Sequence, residues 1–357
     1  MSCHQYHKLY VVLLCLLLSA CVVNPAQQTP VQEEVSASEQ RHAIEELKVP
    51  RQLKDDMLSL YDPDPVERAW AAYRLAKLGP GAAPAVPHLG NLLQDDTEVL
   101  MSRYLGGGFR SSTATTPAEE AARALAKIGQ PAIELLIDNL SNPNPQVRRL
   151  AAKALGQTGS LSTVDPLVRT LSDQDPTVRA SAAIALGSLR HPLVAQKLLD
   201  AYSTVNPDTR IHLIYAMSQI NDIIVVPFLV EIFPTQPPEV RAAIVYALGK
   251  IRDARAIDTL LTALKDPDEI VRANAAFALS SFYSVPIMDA LIEKLSDEAS
   301  SVRAAAMEAL AALTSLNFDQ DPEKWISWWQ RERKAIQNAQ DSPSQTETGS
   351  TRPSLTP

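Results

Sequence analysis

The sequence predicts an all-α solenoid, in which about eight helical hairpins stack and a capping helix covers each end. Three sets of side chains recur every 31 residues and together carry this prediction. The polar set consists of Arg148, Arg179, Arg210, Arg241, Arg272 and Arg303. The first apolar set consists of Leu155, Leu186, Met217, Leu248, Leu279 and Leu310. The second apolar set consists of Leu167, Leu198, Leu229, Leu260 and Leu291. A fixed period of about 20–50 residues is typical of stacked units whose cores form only between neighbours, and such a fold favours binding over catalysis.

The first twenty residues predict export. A polar start ending at Lys8 precedes an apolar run from Leu9 to Leu18, which is too short to span a bilayer stably. The segment Leu18-Ser19-Ala20-Cys21 resembles the lipobox of bacterial lipoproteins. That resemblance implies a signal peptide over residues 1–20 and a Cys21 that carries diacylglycerol and an amide-linked acyl chain such as palmitate. It also implies an envelope location, and Val22 favours the outer membrane facing the periplasm. The alternative is an ordinary signal peptide with a chance cysteine.

The segments on either side of the repeats are predicted to be disordered. Residues 21–40 are rich in Pro, Gln, Glu and Ser and have few apolar side chains, as expected of a tether behind a lipidated cysteine. Residues 338–357 form a similarly polar tail. All three cysteines lie within the first 21 residues, so the folded part is expected to have neither a disulfide nor a thiolate metal site.

The unit beginning at Asp173 illustrates the predicted helical hairpin. Asp175 can cap a first helix in which Pro176 occupies the first position, and Val178, Ala182 and Leu186 then follow helical spacing. The first helices are predicted to begin near Pro65, Pro117, Pro145, Pro176, Pro207, Pro238, Pro267 and Ser300. A small residue follows each leucine of the first apolar set: Gly156, Gly187, Ser218, Gly249, Ser280 and Ala311. We expect it to let the two antiparallel helices of a unit approach closely.

The motif Asp-x-x-x-x-Val-Arg-x-x-Ala-Ala-x-Ala-Leu-Gly is almost complete at Asp173–Gly187. It resembles the HEAT repeat in its short bacterial variant, which is related to the repeats of phycobilin lyases and is also found in deoxyhypusine hydroxylases. The resemblance covers about residues 50–316, within a solenoid predicted over residues 41–337. It implies an α-solenoid that binds proteins.

Three segments interrupt or close the repeats. Residues 95–116 form an insertion containing Gly106-Gly107-Gly108, which lacks the Lys-Ser/Thr of a phosphate-binding loop. It is predicted to be a flexible loop that a partner can order, with plain disorder as the alternative. A helix over residues 50–61 is expected to cap the first unit. Residues 321–337 contain Trp325, Trp328 and Trp329, and we interpret them as the C-terminal cap, with an aromatic ligand site as the alternative.

The arginine set has a structural interpretation. In HEAT-like folds, an aspartate six residues before the arginine resembles half of a ladder between repeats. The members of the predicted ladder are Asp62, Arg68, Asp173, Arg179, Asp266, Arg272, Asp297 and Arg303. Thr204 and Thr235 interrupt it, so Arg210 and Arg241 are expected to lack that acid, for which Asp208 or Glu239 can substitute.

Two columns are candidate partner-binding surfaces. The first consists of Ile184, Tyr215, Tyr246 and Phe277, two residues before successive leucines or methionine of the first apolar set. It predicts an exposed apolar stripe, and the alternative is half-burial between helices. The second consists of the acidic residues Asp200, Glu231, Asp258, Asp289 and Glu293 on the second helices. Since second helices usually line the concave side of such solenoids, this column predicts an acidic groove that attracts cationic partners; plain solvation is the alternative.

No catalytic or metal-binding pattern stands out in the sequence. His42, His88, His191 and His212 are scattered, and the His-Glu dipeptides through which the resembling hydroxylases bind iron are missing. A net charge of −8 disfavours nucleic acid. We therefore predict a lipid-anchored, non-catalytic scaffold for an unknown protein or peptide partner, without cofactor or metal. The alternatives are an accessory protein of the phycobilin lyase type and a purely structural spacer.

Overall fold

A computed structural model describes residues 37–100, 114–318 and 321–341. The chain divides into two units, Met1–Val49 and Pro50–Pro357. The described part of the first unit contains helix α1, Ala37–Glu46, which begins inside the predicted tether. The signal peptide, Cys21, the triple glycine and most of the tail lie outside the described residues, so those predictions stand as made.

The second unit confirms the predicted all-α solenoid. After α2 (Arg51–Ser59), each repeat has a first and a second helix. The first helices are α3 (Pro65–Leu78), α5 (Pro117–Ile128), α7 (Pro145–Thr158), α9 (Pro176–Ser188), α11 (Pro207–Ile220), α13 (Pro238–Ile251), α15 (Glu269–Leu279) and α17 (Ser300–Thr314). The second helices are α4 (Val86–Leu92), α6 (Ile133–Asp138), α8 (Val164–Thr170), α10 (Pro192–Ala201), α12 (Val226–Ile232), α14 (Ile257–Ala263), α16 (Val285–Glu293) and α18 (Pro322–Asp341). The last of these runs past the predicted boundary at residue 337. None of the helices in the described ranges has the length and apolar character needed to cross a bilayer.

Side-chain caps explain where most first helices begin. The Asp175 carboxylate accepts hydrogen bonds from the backbone N–H groups of Thr177 and Val178, at 2.8 and 3.3 Å. Asp64, Asn144 and Asp268 cap their helices in the same way. These bonds satisfy N–H groups that have no partner in the first turn, while proline at the first position has no N–H to satisfy.

The residues that flank the insertion form a short antiparallel ladder that the sequence did not predict. Strands β1 (Val99–Leu100) and β2 (Ala114–Thr115) pair Val99 with Thr115 and Leu100 with Ala114. The Thr115 hydroxyl donates to the buried Glu120 carboxylate at 2.9 Å, and Arg123 forms an ion pair with the same carboxylate. The two ends of the insertion are therefore held together beside α5.

Consecutive first helices pack against each other, and the small-residue column makes this packing possible. A Cβ atom added to Gly156 would lie 2.6 Å from Cα of Ala185 in the next unit, and one added to Gly249 would lie 2.5 Å from Cβ of Ala278. The predicted reason for the small residues was therefore wrong. They make room for the first helix of the following repeat rather than for the second helix of their own.

The arginine ladder connects neighbouring units, but its partners differ from the prediction. Nε and Nη2 of Arg148 donate to Asp173 of the next unit, both at 2.8 Å, while Nη1 donates to the backbone carbonyl of Asn142. The same arrangement joins Arg241 to Asp266 and Arg272 to Asp297, and Nε of Arg68 donates to Asp95. The acid six residues before each arginine instead contributes its backbone carbonyl: Asp62 to Arg68, Asp173 to Arg179, Asp266 to Arg272 and Asp297 to Arg303. The side chains of Asp173, Asp266 and Asp297 instead accept from the arginine of the preceding repeat, whereas that of Asp62 accepts from the backbone N–H of Asp64.

Thr204 and Thr235 stand where an aspartate would follow Arg179 and Arg210 by 25 residues, so these two arginines do not form this ion pair. Nε of Arg179 donates to the Thr209 hydroxyl at 2.9 Å. Nε of Arg210 is buried without a hydrogen-bond partner, and its guanidinium lies 5.3 Å from the centre of the Tyr202 ring. Arg241 was predicted to lack the acid six residues before it and to use Glu239 as a substitute, but it pairs with Asp266 at 2.7 Å, so the predicted partner was wrong.

The C-terminal helix α18 buries its three tryptophans. The exposed fractions of Trp325, Trp328 and Trp329 are 1%, 4% and 3%. Trp325 packs edge-on against Phe318, with ring centres 4.8 Å apart. The indole N–H of Trp329 donates to Asp289 at 2.9 Å, which ties α18 to α16. Burial of large aromatic rings covers an apolar face of the last repeat, as a terminal repeat requires.

Candidate protein-binding surface

The apolar stripe consists of Ile184, Tyr215, Tyr246 and Phe277, which lie on α9, α11, α13 and α15. The residues two positions later, Leu186, Met217, Leu248 and Leu279, are fully buried. Two residues correspond to about 200° around an α-helix, so a buried leucine directs the stripe residue away from the core. The exposed fractions are 69%, 43%, 39% and 62% along the stripe, so Ile184 and Phe277 are mostly open to solvent and the two tyrosines are partly covered.

The stripe is continuous because the helices that carry it are neighbours. The rings of Tyr215 and Tyr246 meet edge to face, with centres 5.5 Å apart. In the flanking repeats the same column holds Lys153 and Glu308, both exposed. The apolar surface is therefore bounded by charged residues, which is the usual anatomy of a partner-binding patch.

A cavity of about 460 Å³ opens on the stripe between α13 and α15. Tyr246 and Phe277 line it together with Lys250, Arg252 and Asn274. The cavity lies beside the close contact between Gly249 and Ala278. It could not be predicted from the sequence, because its walls come from different repeats and its position depends on how closely their helices approach.

The predicted acidic groove keeps four of its five members as exposed residues. Asp200, Glu231, Asp258 and Glu293 are open to solvent, and Asp200 accepts a hydrogen bond from Gln196 at 3.0 Å. Asp289 differs, since its carboxylate accepts from Trp329 and forms a 2.9 Å ion pair with Arg333. Assigning Asp289 to a free acidic surface was therefore wrong. It holds the C-terminal helix.

The histidines are held in separate structural contacts. His88 is 2.7 Å from the Tyr61 hydroxyl, and burial lowers the pKa of its imidazole. Burial and the charge of Arg179 lower the pKa of His212. Over residues 37–100, 114–318 and 321–341, no cluster of histidine, cysteine and acidic side chains has the arrangement of a metal site.

Comparison with known proteins identifies similar repeats. Models for HEAT repeats match residues 133–218, 195–280 and 226–311, which together cover half of the chain. The model for the PBS lyase HEAT-like repeat matches residues 117–142. No protein with a curated description matches this chain.

Solved structures with a similar fold include enzymes and their subunits. Human deoxyhypusine hydroxylase in complex with glycerol is 21% identical, with a TM-score of 0.31, over 74% of this chain and 97% of the hydroxylase. The complex of CpcE and CpcF of phycocyanin lyase from Nostoc sp. PCC7120 is 25% identical, with a TM-score of 0.39. That similarity covers 42% of this chain and 99% of the matched lyase chain.

Proposed function

This chain belongs to the HEAT-repeat family, and we propose that it is a lipid-anchored, non-catalytic scaffold that binds a protein partner in the cell envelope. HEAT repeats generally mediate protein–protein interactions, so the family match supports a repeat scaffold or an accessory role of the lyase type. The observation that carries the proposal is the apolar stripe, in which four consecutive repeats expose an apolar side chain at one column. Exposing such a surface without a partner is unfavourable in water.

A preformed stripe would bind with little ordering cost. Its side chains are mounted on helices whose opposite faces are fully buried, so the backbone that carries them is fixed before a partner arrives. Preorganisation of this kind raises affinity because less conformational entropy is lost on association.

Replacing Tyr215 and Tyr246 together by Glu is expected to weaken partner binding strongly while leaving the fold intact. Both side chains are exposed, so the change places two charges in the patch without opening the core. Tagged wild-type and variant proteins should be purified from their own envelope and the co-purified proteins quantified by mass spectrometry. Partners should fall by at least about tenfold, a loss of roughly 1.4 kcal/mol.

The matched control replaces Leu193 and Ile270 by Glu. Both residues are exposed and off the stripe, and both lie in the first turn of a helix, where an added negative charge is favourable. This control should retain its partners. Unchanged recovery with the tyrosine variant would contradict the stripe assignment and favour a structural spacer.

The lipid anchor is tested separately at Cys21. In cells labelled with radioactive palmitate, Cys21→Ala should remove the label and release the protein from the membrane fraction. Cys15→Ala should retain the label, because Cys15 belongs to the proposed signal peptide and would be removed with it. A label that persists in Cys21→Ala would contradict lipidation at this residue.

A second candidate function follows from the match of residues 117–142 to the PBS lyase HEAT-like repeat. It is an accessory role in which the repeats hold a tetrapyrrole for attachment to an acceptor protein. Mixing the purified chain with a bilin and recording visible absorbance tests it. A shifted band that co-elutes with the protein would favour this candidate over the scaffold.

A further inference from the structure

The cavity on the stripe differs in charge from the rest of the chain. The chain has 41 acidic and 33 basic residues. The residues that line the cavity include Lys250 and Arg252 but no acidic side chain. Tyr246, Phe277, Asn221 and Asn274 also line it. A cationic and aromatic pocket thus opens on an otherwise acidic protein.

The two cations are not neutralised by the fold. No carboxylate among the described residues forms an ion pair with Lys250 or Arg252. The nearest acid in sequence, Asp253, is taken up by Arg255, whose backbone N–H, Nε and Nη2 all donate to it at 2.8–2.9 Å. The negative end of the α13 dipole favours a cation at this position but does not satisfy its hydrogen-bond donors.

Arg252 occupies its place at a conformational cost. It follows the end of α13 with a φ of 59°, in the left-handed region that favours glycine. The residues that follow α5 and α7 at the corresponding turn are Gly129 and Gly159. Arg190 has the same kind of backbone, with a φ of 47°, but does not line the cavity.

We propose that the pocket between α13 and α15 binds an acidic peptide segment of the partner, with an apolar side chain in the cavity and carboxylates on Lys250 and Arg252. This inference rests on the proposed function and specifies the chemistry of its partner. The cavity volume is in the range that admits an apolar side chain. Helices pack about 8–10 Å apart, so the four-helix stripe is roughly 30 Å long and accommodates about nine residues of extended chain.

The test uses three fluorescein-labelled dodecapeptides and the purified full chain. The first peptide has phenylalanine at every third position and glutamate elsewhere, the second replaces glutamate by glutamine, and the third replaces phenylalanine by alanine. Fluorescence anisotropy should show the first peptide binding at least about tenfold more tightly than either of the others. That preference should shrink as salt is raised, because salt screens exposed charges.

Arg252→Gly and Arg190→Gly form a matched pair of variants. Both relieve a left-handed backbone, so both should melt at or above the wild-type temperature, which excludes unfolding as a cause of lost binding. Arg252→Gly should weaken binding of the glutamate peptide at least about tenfold and leave the glutamine peptide unchanged. Arg190→Gly should bind all three peptides as the wild type does.

Three results would overturn the proposal: no binding of the glutamate peptide, equal binding of the glutamine peptide, or full affinity in Arg252→Gly. If the glutamine peptide binds equally and loses its affinity in the Tyr215→Glu, Tyr246→Glu variant, the stripe remains a binding surface and only the acidic preference fails. The purification of partners from the envelope tests the scaffold function separately, so a failure of that function would appear in that experiment and not in the peptide binding.

Discussion

Replacing Asp266 by Ala is expected to lower the free energy of unfolding by about 3–5 kcal/mol. The change removes two hydrogen bonds of 2.7 Å that Arg241 donates from Nε and Nη2 across the junction of two repeats. Both side chains are largely buried, with exposed fractions of 15% for Arg241 and 6% for Asp266. The guanidinium would then stay buried with only the Gln236 carbonyl as acceptor. Urea denaturation followed by circular dichroism measures the effect.

A gain in the free energy of unfolding is expected when an acid is added at the Arg210 junction, which lacks one. Thr235→Asp places a carboxylate 25 residues after Arg210, as Asp266 stands to Arg241, and so offers a partner to the unsatisfied Nε of Arg210. Because Thr235 is exposed, we expect a gain of only about 0.5–1 kcal/mol. A loss of stability in this variant would contradict the ladder as the source of coupling between repeats.

Acid should weaken the same junctions. Burial raises the pKa of Asp266 and Asp297, but hydrogen bonds from Arg241 and Arg272 outweigh it and hold both pKa values below the usual range. The stabilisation is therefore fully present above the unfolded pKa of about 3.9 and is lost as the pH falls through the lower folded value. The Tm should be level above about pH 5 and fall below about pH 4, with a shallower fall in Asp266→Ala.

Replacing Gly156 by Ala is expected to lower the free energy of unfolding by about 2–3 kcal/mol. The added methyl group would lie 2.6 Å from both Cα and Cβ of Ala185 and 3.0 Å from the Ala185 carbonyl oxygen. Two of these atoms are backbone and the third is the Cβ attached to it, so none can move without α9, and the two first helices must separate to admit the methyl. That separation opens the packed interface on either side of the contact. Thermal and urea denaturation both measure the loss.

Gly81→Ala is the matched control for this prediction. A Cβ atom at Gly81 would meet nothing within 4 Å, so the same chemical change should alter stability by no more than about 0.5 kcal/mol. A similar loss in both variants would show that glycine-to-alanine exchange itself, rather than the contact with Ala185, is responsible.

Features that repeat within one unit could be predicted from the sequence. The Asp-Pro and Asn-Pro pairs located the starts of four of the eight first helices, because a cap and a proline act on the local backbone. α15 begins two residues after the predicted Pro267, where Asp268 is the cap. The exposure of the stripe also followed from local geometry, since its position relative to a buried leucine fixes its direction.

Features that depend on contact between units could not be predicted from the sequence. Arg148 pairs with an acid 25 residues ahead rather than six behind, because neighbouring repeats bring the two side chains together. Asp289 matched the acidic column by spacing, yet Trp329, forty residues later, takes its carboxylate. The cavity beside Tyr246 likewise arises only when two first helices pack. A period identifies equivalent positions, but it does not say which atoms of adjacent repeats meet.

The junctions bridged by Arg179 and Arg210 are expected to resist separation less than the junctions that have an ion pair. Arg148, Arg241 and Arg272 clamp their junctions with carboxylates, whereas Arg179 and Arg210 do not. In a nearest-neighbour array the weakest junction yields first. Stretched between its ends in optical tweezers, the protein should therefore begin to extend between α9 and α13, on either side of the helix that carries Tyr215, and the force at that first step should rise in Thr235→Asp.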